Sequence, residues 1–261
     1  MGAAPSPRKA HSWIADFVSD VGAIGILTAR TLRLLISAKT DHDTFRLAHR
    51  YTNRSISFVG AAMAFVGMIM VYQSTEQLTR AVGDTHLVGP SFLKLLVRVL
   101  GPTIVGLLVA CRVGAGIAAE IGAMAVTDQL NALRICFADP VEVLMVPRVR
   151  AGIIASTTLT VIGAAAAAFS GYATATFMYG TSSAVFWNFE LIATADVVQG
   201  MAKSLTYGIA IPVIAGCFGM RATGGARGVG RATTEAVVGS SFAIVLLDSI
   251  ISLIGYTAGG R

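Results

Sequence analysis

The chain is poor in charge and in the residues that carry out chemistry. Only 13% of its 261 residues are Asp, Glu, Lys or Arg, while 54% are hydrophobic. With a mean hydropathy of +0.71, that balance excludes an ordinary soluble globular domain. Its three cysteines, Cys111, Cys136 and Cys217, have no spacing that suggests a disulfide framework and read as small core residues. The four histidines, His11, His42, His49 and His86, are scattered, which argues against a metal site. The sequence has no clustered Ser/His/Asp set, no Cys/His pair placed by a motif, no paired carboxylates in one loop and no HExxH. A non-catalytic chain that binds no cofactor of its own is the expectation.

What the chain has is long apolar runs. Residues 55–75, 151–171 and 236–256 each approach the ~20 residues that cross ~30 Å of hydrocarbon as a helix. Two further runs are less clean: 95–116 starts beside Lys94 and carries Arg98 and Pro102, and 203–219 opens with Lys203 and contains Pro212. Backbone groups in lipid must be satisfied within the segment, so an all-α membrane protein with about five transmembrane helices is expected. The domain plan is an N-terminal segment over 1–54, a five-helix domain over 55–256 and a short tail over 257–261.

Orientation follows from the basic residues, which collect on the cytoplasmic side. Arg8, Lys9, Arg30, Arg33, Lys39, Arg46, Arg50 and Arg54 precede the first span; Arg112, Arg134, Arg148 and Arg150 lie in a central island over 111–150, and Arg221, Arg227 and Arg231 in the last loop. The alternate loops are nearly bare: 76–90 holds only Arg80 and 172–202 no Lys or Arg. The N-terminus and the island are therefore expected in the cytoplasm and the C-terminus outside. The net charge of +6 is on this reading a topology signal, with no nucleic-acid partner implied. No cleavable presequence is evident, because the N-terminus is basic and polar and its first apolar stretch is broken by Arg30 and Arg33.

Trp13, Phe17, Val21, Ile24, Thr31 and Leu35 recur at helical spacing, with Ser12, Asp16 and Ser19 opposite. This reads as an amphipathic helix in the cytoplasmic interface; a sixth crossing is the alternative, opposed by Arg30 and Arg33. Residues 39–54 read as a basic, water-exposed connector. Gly106, Ala110, Gly114 and Ala118 form a small-residue ridge, which packs helices either within one chain or between two copies. Tyr172, Phe177, Tyr179, Phe186, Trp187 and Phe189 suggest short helices anchored at the outer interface.

Within the island, Met124, Val126, Leu130 and Leu133 alternate with Glu120, Thr127, Asp128, Asn131 and Arg134. That pattern is an amphipathic helix stopped by Asp139-Pro140, either a passive cap or a coupling helix that docks on a soluble partner. Residues 224–234, GGARGVGRATT, have the Gly225–Gly230 gap of a phosphate-binding loop, but Arg231-Ala232 stands where Lys-Ser/Thr is required. A turn capped by Thr233 or Thr234 before the last helix is the better reading. Lys94 and Arg98 share a helix face and lie with Lys203 toward the outer half of the bilayer. Together they either line a cavity for an anionic headgroup or snorkel to the interface. Asp248, mid-span, needs a cation, a hydroxyl or a proton, with Ser240, Ser241, Ser249 and Ser252 nearby. Arg231 is grouped with it among structural, buried polar residues.

The run RVLGPTIVGLLVACRVGAGIAAEIGAMAVTDQLNALRICFADPVEVLMVPRVRA from Arg98 to Ala151, Lys203-Ser204, and GVGRATTEAVVGSS from Gly228 to Ser241 with Asp248 beyond resemble the MlaE/YrbE family of permease subunits. These work in ABC transporters with MCE-domain proteins. The family often has an acidic residue where this chain has Val99, which puts the role of that carboxylate in doubt here. The resemblance implies a homodimer, or a pair of related chains, in a bacterial inner membrane. It implies two cytoplasmic ATPase subunits that bind ATP and Mg, a ring of MCE proteins, and a phospholipid cargo. The island helix from Glu120 to Leu133 would then contact the ATPase, and Lys94, Arg98 and Lys203 would meet the lipid headgroup. Two other classes stay open: a membrane scaffold that recruits a soluble protein, and an ion-coupled carrier with Asp248 as its proton site.

Overall fold

A computed structural model describes residues 12–37, 42–81 and 87–259, and all secondary structure in them is helical. In chain order the helices are α1 (Ser12–Ser37), α2 (His42–Ala81), α3 (Val88–Val126), α4 (Gln129–Ile135), α5 (Val141–Tyr179), α6 (Ser183–Phe186), α7 (Thr194–Met220) and α8 (Gly225–Gly259). α2, α3, α5, α7 and α8 are long and apolar enough to cross a membrane, so the chain is a multi-pass membrane protein. Each runs well past its apolar core. The connector expected over 39–54 is, from His42 onward, the opening of α2, because nothing between His42 and Arg54 breaks a helix. Basic residues cluster where α2, α5 and α8 begin; the other end carries the aromatic residues of the α5–α6 turn.

α3 is interrupted by two widened π-helical turns, Leu96–Leu100 and Ala110–Gly114, and α5 opens with a third, Val141–Met145. Two of the three end two residues before a proline, Pro102 and Pro147, where a missing N–H and ring crowding disfavour the regular i→i−4 pattern. At the first, the Gly101 N–H reaches back five residues to the Leu96 carbonyl.

Helices in lipid gain little from apolar burial and associate through close packing. α2 lies along α5, where Ser170 donates from its hydroxyl to the Ala64 carbonyl at 2.6 Å. α5 crosses α7 with backbones touching: a Cβ on Gly208 would lie 2.6 Å from Ile153 Cα and 2.9 Å from the Gly152 oxygen. The ridge on α3 packs inside this chain. Gly106 faces the ring of Tyr207, Gly114 faces Ile211 Cγ2, and Ala110 and Ala118 are fully buried.

Three further expectations change. Residues 224–234 are no capped turn: Gly224 and Gly225, at φ 87° and 69°, reverse the chain, and α8 begins at once, with Thr233 and Thr234 donating back to the Gly230 carbonyl inside it. Phe186 is buried, 5.6 Å ring to ring from both Tyr172 and Trp187, so it belongs to a packed aromatic knot, while Phe177 and Phe189 stay exposed. Arg231 is exposed and pairs with Glu235 one turn on at 2.8 Å, because it lies on the outward face of α8 while its neighbour Ala232 is buried.

α1 packs on α5 and α7. Arg30 holds Asp139 at 2.8 Å, and Arg150 donates to the Leu35 carbonyl at 2.8 Å. Of its expected inner face, Thr31 is buried and Ile24 and Leu35 half-buried; the side chains of Trp13, Phe17, Val21, Ser12, Asp16 and Ser19 lie outside the described residues, as do His11 and His86. Cys217 is buried, whereas Cys111 and Cys136 are exposed, against the expectation of three core residues.

Candidate functional site

A polar stripe runs down the buried face of α7. Asp196, Gln199, Lys203 and Tyr207 recur at helical spacing, and all four are buried. Asp196 sits in the first turn, where its Oδ2 accepts the Ala193 N–H at 3.1 Å and its charge complements the helix dipole. From α3, Arg98 Nη1 reaches its Oδ1 at 3.2 Å and Lys94 Nζ its Oδ2 at 3.9 Å. Seven residues on, Lys203, fully buried, places Nζ 2.7 Å from Oδ1 of Asp248 on α8. The same oxygen accepts the hydroxyls of Thr103 at 2.8 Å and Tyr207 at 2.9 Å. Between the clusters, Gln199 donates to the Ile251 carbonyl at 3.4 Å.

The widened turn before Pro102 makes this alignment. Residues five apart on a regular helix point roughly 140° away from each other, so Arg98 and Thr103 would not both address α7. An i→i+5 turn brings residues five apart closer to one line, and both side chains then meet the stripe.

The three expected headgroup cations are thus brought to one helix interface but not to one cavity. Lys94 and Arg98 share one carboxylate and keep one excess positive charge at the aromatic end, and Lys203 is enclosed with Asp248. Two of the serines expected near Asp248 are engaged elsewhere: Ser249 donates to the Val245 carbonyl, and Ser240 is buried on the side of α8 facing Gly114. Sequence reasoning missed Asp196, although an acidic residue in a first turn, seven before Lys203, is a readable signal. Val99 is half-buried, and Asp196, from another helix, supplies the carboxylate beside Arg98.

The island is not one helix from Glu120 to Leu133. α3 carries Glu120 and Met124 and ends at Val126; Asp128, at φ 58°, takes the left-handed conformation that Asp tolerates and breaks the helix there. The short α4 then carries Leu130 and Leu133. Glu120 lies between Arg50 at 3.2 Å and Arg148 at 3.5 Å, tying α2, α3 and α5 together at the basic end. Met124 and Leu133 are half-buried and Leu130 is buried, while Thr127 and Asp128 are exposed. At the end of α4 the tip bears Ile135, 77% exposed, and just beyond it Phe137, wholly exposed. Asp139 accepts the Val141 N–H at 3.1 Å, so the Asp-Pro pair starts α5 as well as ending the island.

An open groove of about 1280 Å³ lies along α7 and α8 at the basic end, walled by Ile214, Phe218, Phe242 and Leu246 and edged by Arg221 and Arg231. Among the described residues, no three His, Cys, Asp or Glu side chains are grouped to hold a metal.

A family model described as permease MlaE matches residues 44–254. The chain is 34% identical over 252 residues to a probable ABC transporter permease protein of Synechocystis, covering 96% of this chain and 95% of the relative. It is 36% identical over 200 residues to a probable ABC transporter permease protein of Rickettsia typhi, covering 76% and 77%. An intermembrane phospholipid transport system permease protein, MlaE, of Haemophilus influenzae is 31% identical over 198 residues, covering 75% and 76%.

Proposed function

The chain belongs to the MlaE permease family, and from that premise we propose that it is the transmembrane permease subunit of an ATP-driven phospholipid transporter. Its basic end faces the cytoplasm of a bacterium and its aromatic end the periplasm. A second permease copy completes a lipid pocket; cytoplasmic ATPase subunits supply ATP and Mg chemistry, and an MCE-domain ring receives or delivers the lipid. The observation that carries this reading is the α7 stripe: ionic groups buried between apolar spans, a costly arrangement that functional membrane helices retain. The excess charge at Lys94 and Arg98 supports a headgroup contact there, with Lys203 acting behind it through Asp248.

In this reading ATP-driven closure of the ATPase dimer pushes on the island and changes the width of the pocket. Glu120 transmits the push to α2 and α5 through its arginines, while Ile135 and Phe137 are the contact surface. Asp paired at Ile135 and Phe137 is expected to abolish co-purification of the ATPase with the tagged chain. The permease's own melting should hardly move, because substitutions at exposed sites stay within about 0.5 kcal/mol. Retention of the ATPase by that variant would remove the tip from the coupling surface. For the headgroup, Lys94→Ala is expected to lower phospholipid photo-cross-linking at the aromatic end about two- to fivefold, the equivalent of roughly 0.5–1 kcal/mol for an exposed ionic contact. Unchanged cross-linking would rule Lys94 out.

A further inference from the structure

The other end of the bundle carries two arginines that neither the stripe nor the coupling surface uses. Arg112, in the widened turn Ala110–Gly114, is exposed on the outside of α3, and its guanidinium carbon lies 5.6 Å from the centre of the Phe58 ring on α2. Arg54 is exposed one turn before Phe58 on α2, and residues four apart share a helix face. Other cations inside the spans have partners: Arg98 has Asp196, Lys203 has Asp248, Arg148 has Glu120, and Arg150 meets the Leu35 carbonyl. Among the described residues no carboxylate pairs with Arg54 or Arg112.

Depth and shape narrow what completes the pair. Arg112 lies eight residues from Glu120, about 12 Å of helix toward the membrane interior, and Arg54 lies one turn inward of Arg50. Both guanidiniums are thus below the ionic cluster and within reach of the headgroup level by snorkelling. Gly116, one turn from Arg112, has open space where a side chain would be. From Phe58, an exposed apolar strip continues down the same face of α2 through Phe65, Ile69 and Tyr72. Two cations above a strip of apolar side chains have the polarity of one amphiphile with a negative head.

We propose that Arg54, Phe58 and Arg112 form a surface site for the phosphate of an anionic glycerophospholipid in the leaflet at the basic end, with an acyl chain lying along Phe65 and Ile69. The site is separate from the transport pocket and depends only on the chain spanning a bilayer. A lipid held there braces the widened turn of α3 against α2.

The test is native mass spectrometry of the full-length chain released from bilayers of phosphatidylcholine mixed with phosphatidylglycerol. Wild type is expected to retain phosphatidylglycerol in preference, and R54Q and R112Q each to lower that preference about fivefold. R112K, which keeps the charge, should retain most of it, and G116L, which fills the headgroup space without altering charge, should lose it. Melting curves of all variants identify any that fail to fold, and G116L and R112K then carry the decision. Equal lipid retention by wild type and the Arg variants overturns the proposal. So does displacement of phosphatidylglycerol by inorganic phosphate, which would make this a free-phosphate site. High-yield cross-linking between Cys111 of two copies, with no lipid retained, would show that protein covers the face and overturn it as well.

Discussion

Replacing Asp248 with Leu destabilises the chain by about 3–5 kcal/mol, the cost of leaving a buried charge without its partner. Lys203 has no exposed surface and its Nζ is 2.7 Å from the lost carboxylate. The Thr103 and Tyr207 hydroxyls lose the same acceptor, and each buried hydroxyl left unpaired adds to the penalty. The double variant K203M/D248L removes both charges together and should recover at least about 2 kcal/mol, since an apolar replacement of a buried ion pair is often tolerated. Recovery stays incomplete because the two hydroxyls remain. Denaturant-titrated unfolding in detergent measures all three proteins. A single variant as stable as wild type, or a double variant no better than the single, would show that the pair does not hold α7 to α8.

A comparable loss is expected at the α5–α7 crossing. Gly208→Ala places a methyl 2.6 Å from Ile153 Cα and 2.9 Å from the Gly152 oxygen, both backbone atoms that no rotamer change can move. The helices must separate, at about 1–3 kcal/mol for the smallest side chain and more for Val or Leu. The freed packing would also slacken the stripe, because Lys203 and Tyr207 lie just before Gly208 on α7. Unfolding midpoints should therefore fall in the order Gly, Ala, Val, Leu. Gly25, where a side chain would meet open space, serves as a control that barely moves. An Ala variant at Gly208 with a wild-type midpoint would mean that the crossing relaxes freely.

These two sites differ in how far they were legible. Lys203 and Asp248 stand out in the sequence as charges within apolar runs, but their partnership does not: the nearby serines were as good a match for Asp248 as a lysine forty-five residues away. Gly208 stands out even less among 28 glycines. Arg231 illustrates the opposite error, since a basic residue near the start of a span looks embedded until the packing shows that it faces outward and its neighbour Ala232 inward. Glu120 and Leu133 fit one amphipathic pattern across a break that only the backbone at Asp128 reveals.

The sequence by itself determined that the chain is helical, that five segments are apolar enough to cross a membrane, and that basic residues gather at one end. Those properties depend on length, composition and local periodicity, which need no partner to be read. Its family was legible for a related reason, because long motifs such as GVGRATTEAVVGSS are contiguous. Tertiary structure alone decided that Asp196 meets Arg98, that Thr103 and Tyr207 converge with Lys203 on one oxygen of Asp248, and that the ridge on α3 packs against its own chain. The physical reason is rotational phase: a widened turn before a proline changes which side chains share a face, and contacts between helices depend on phase and depth together.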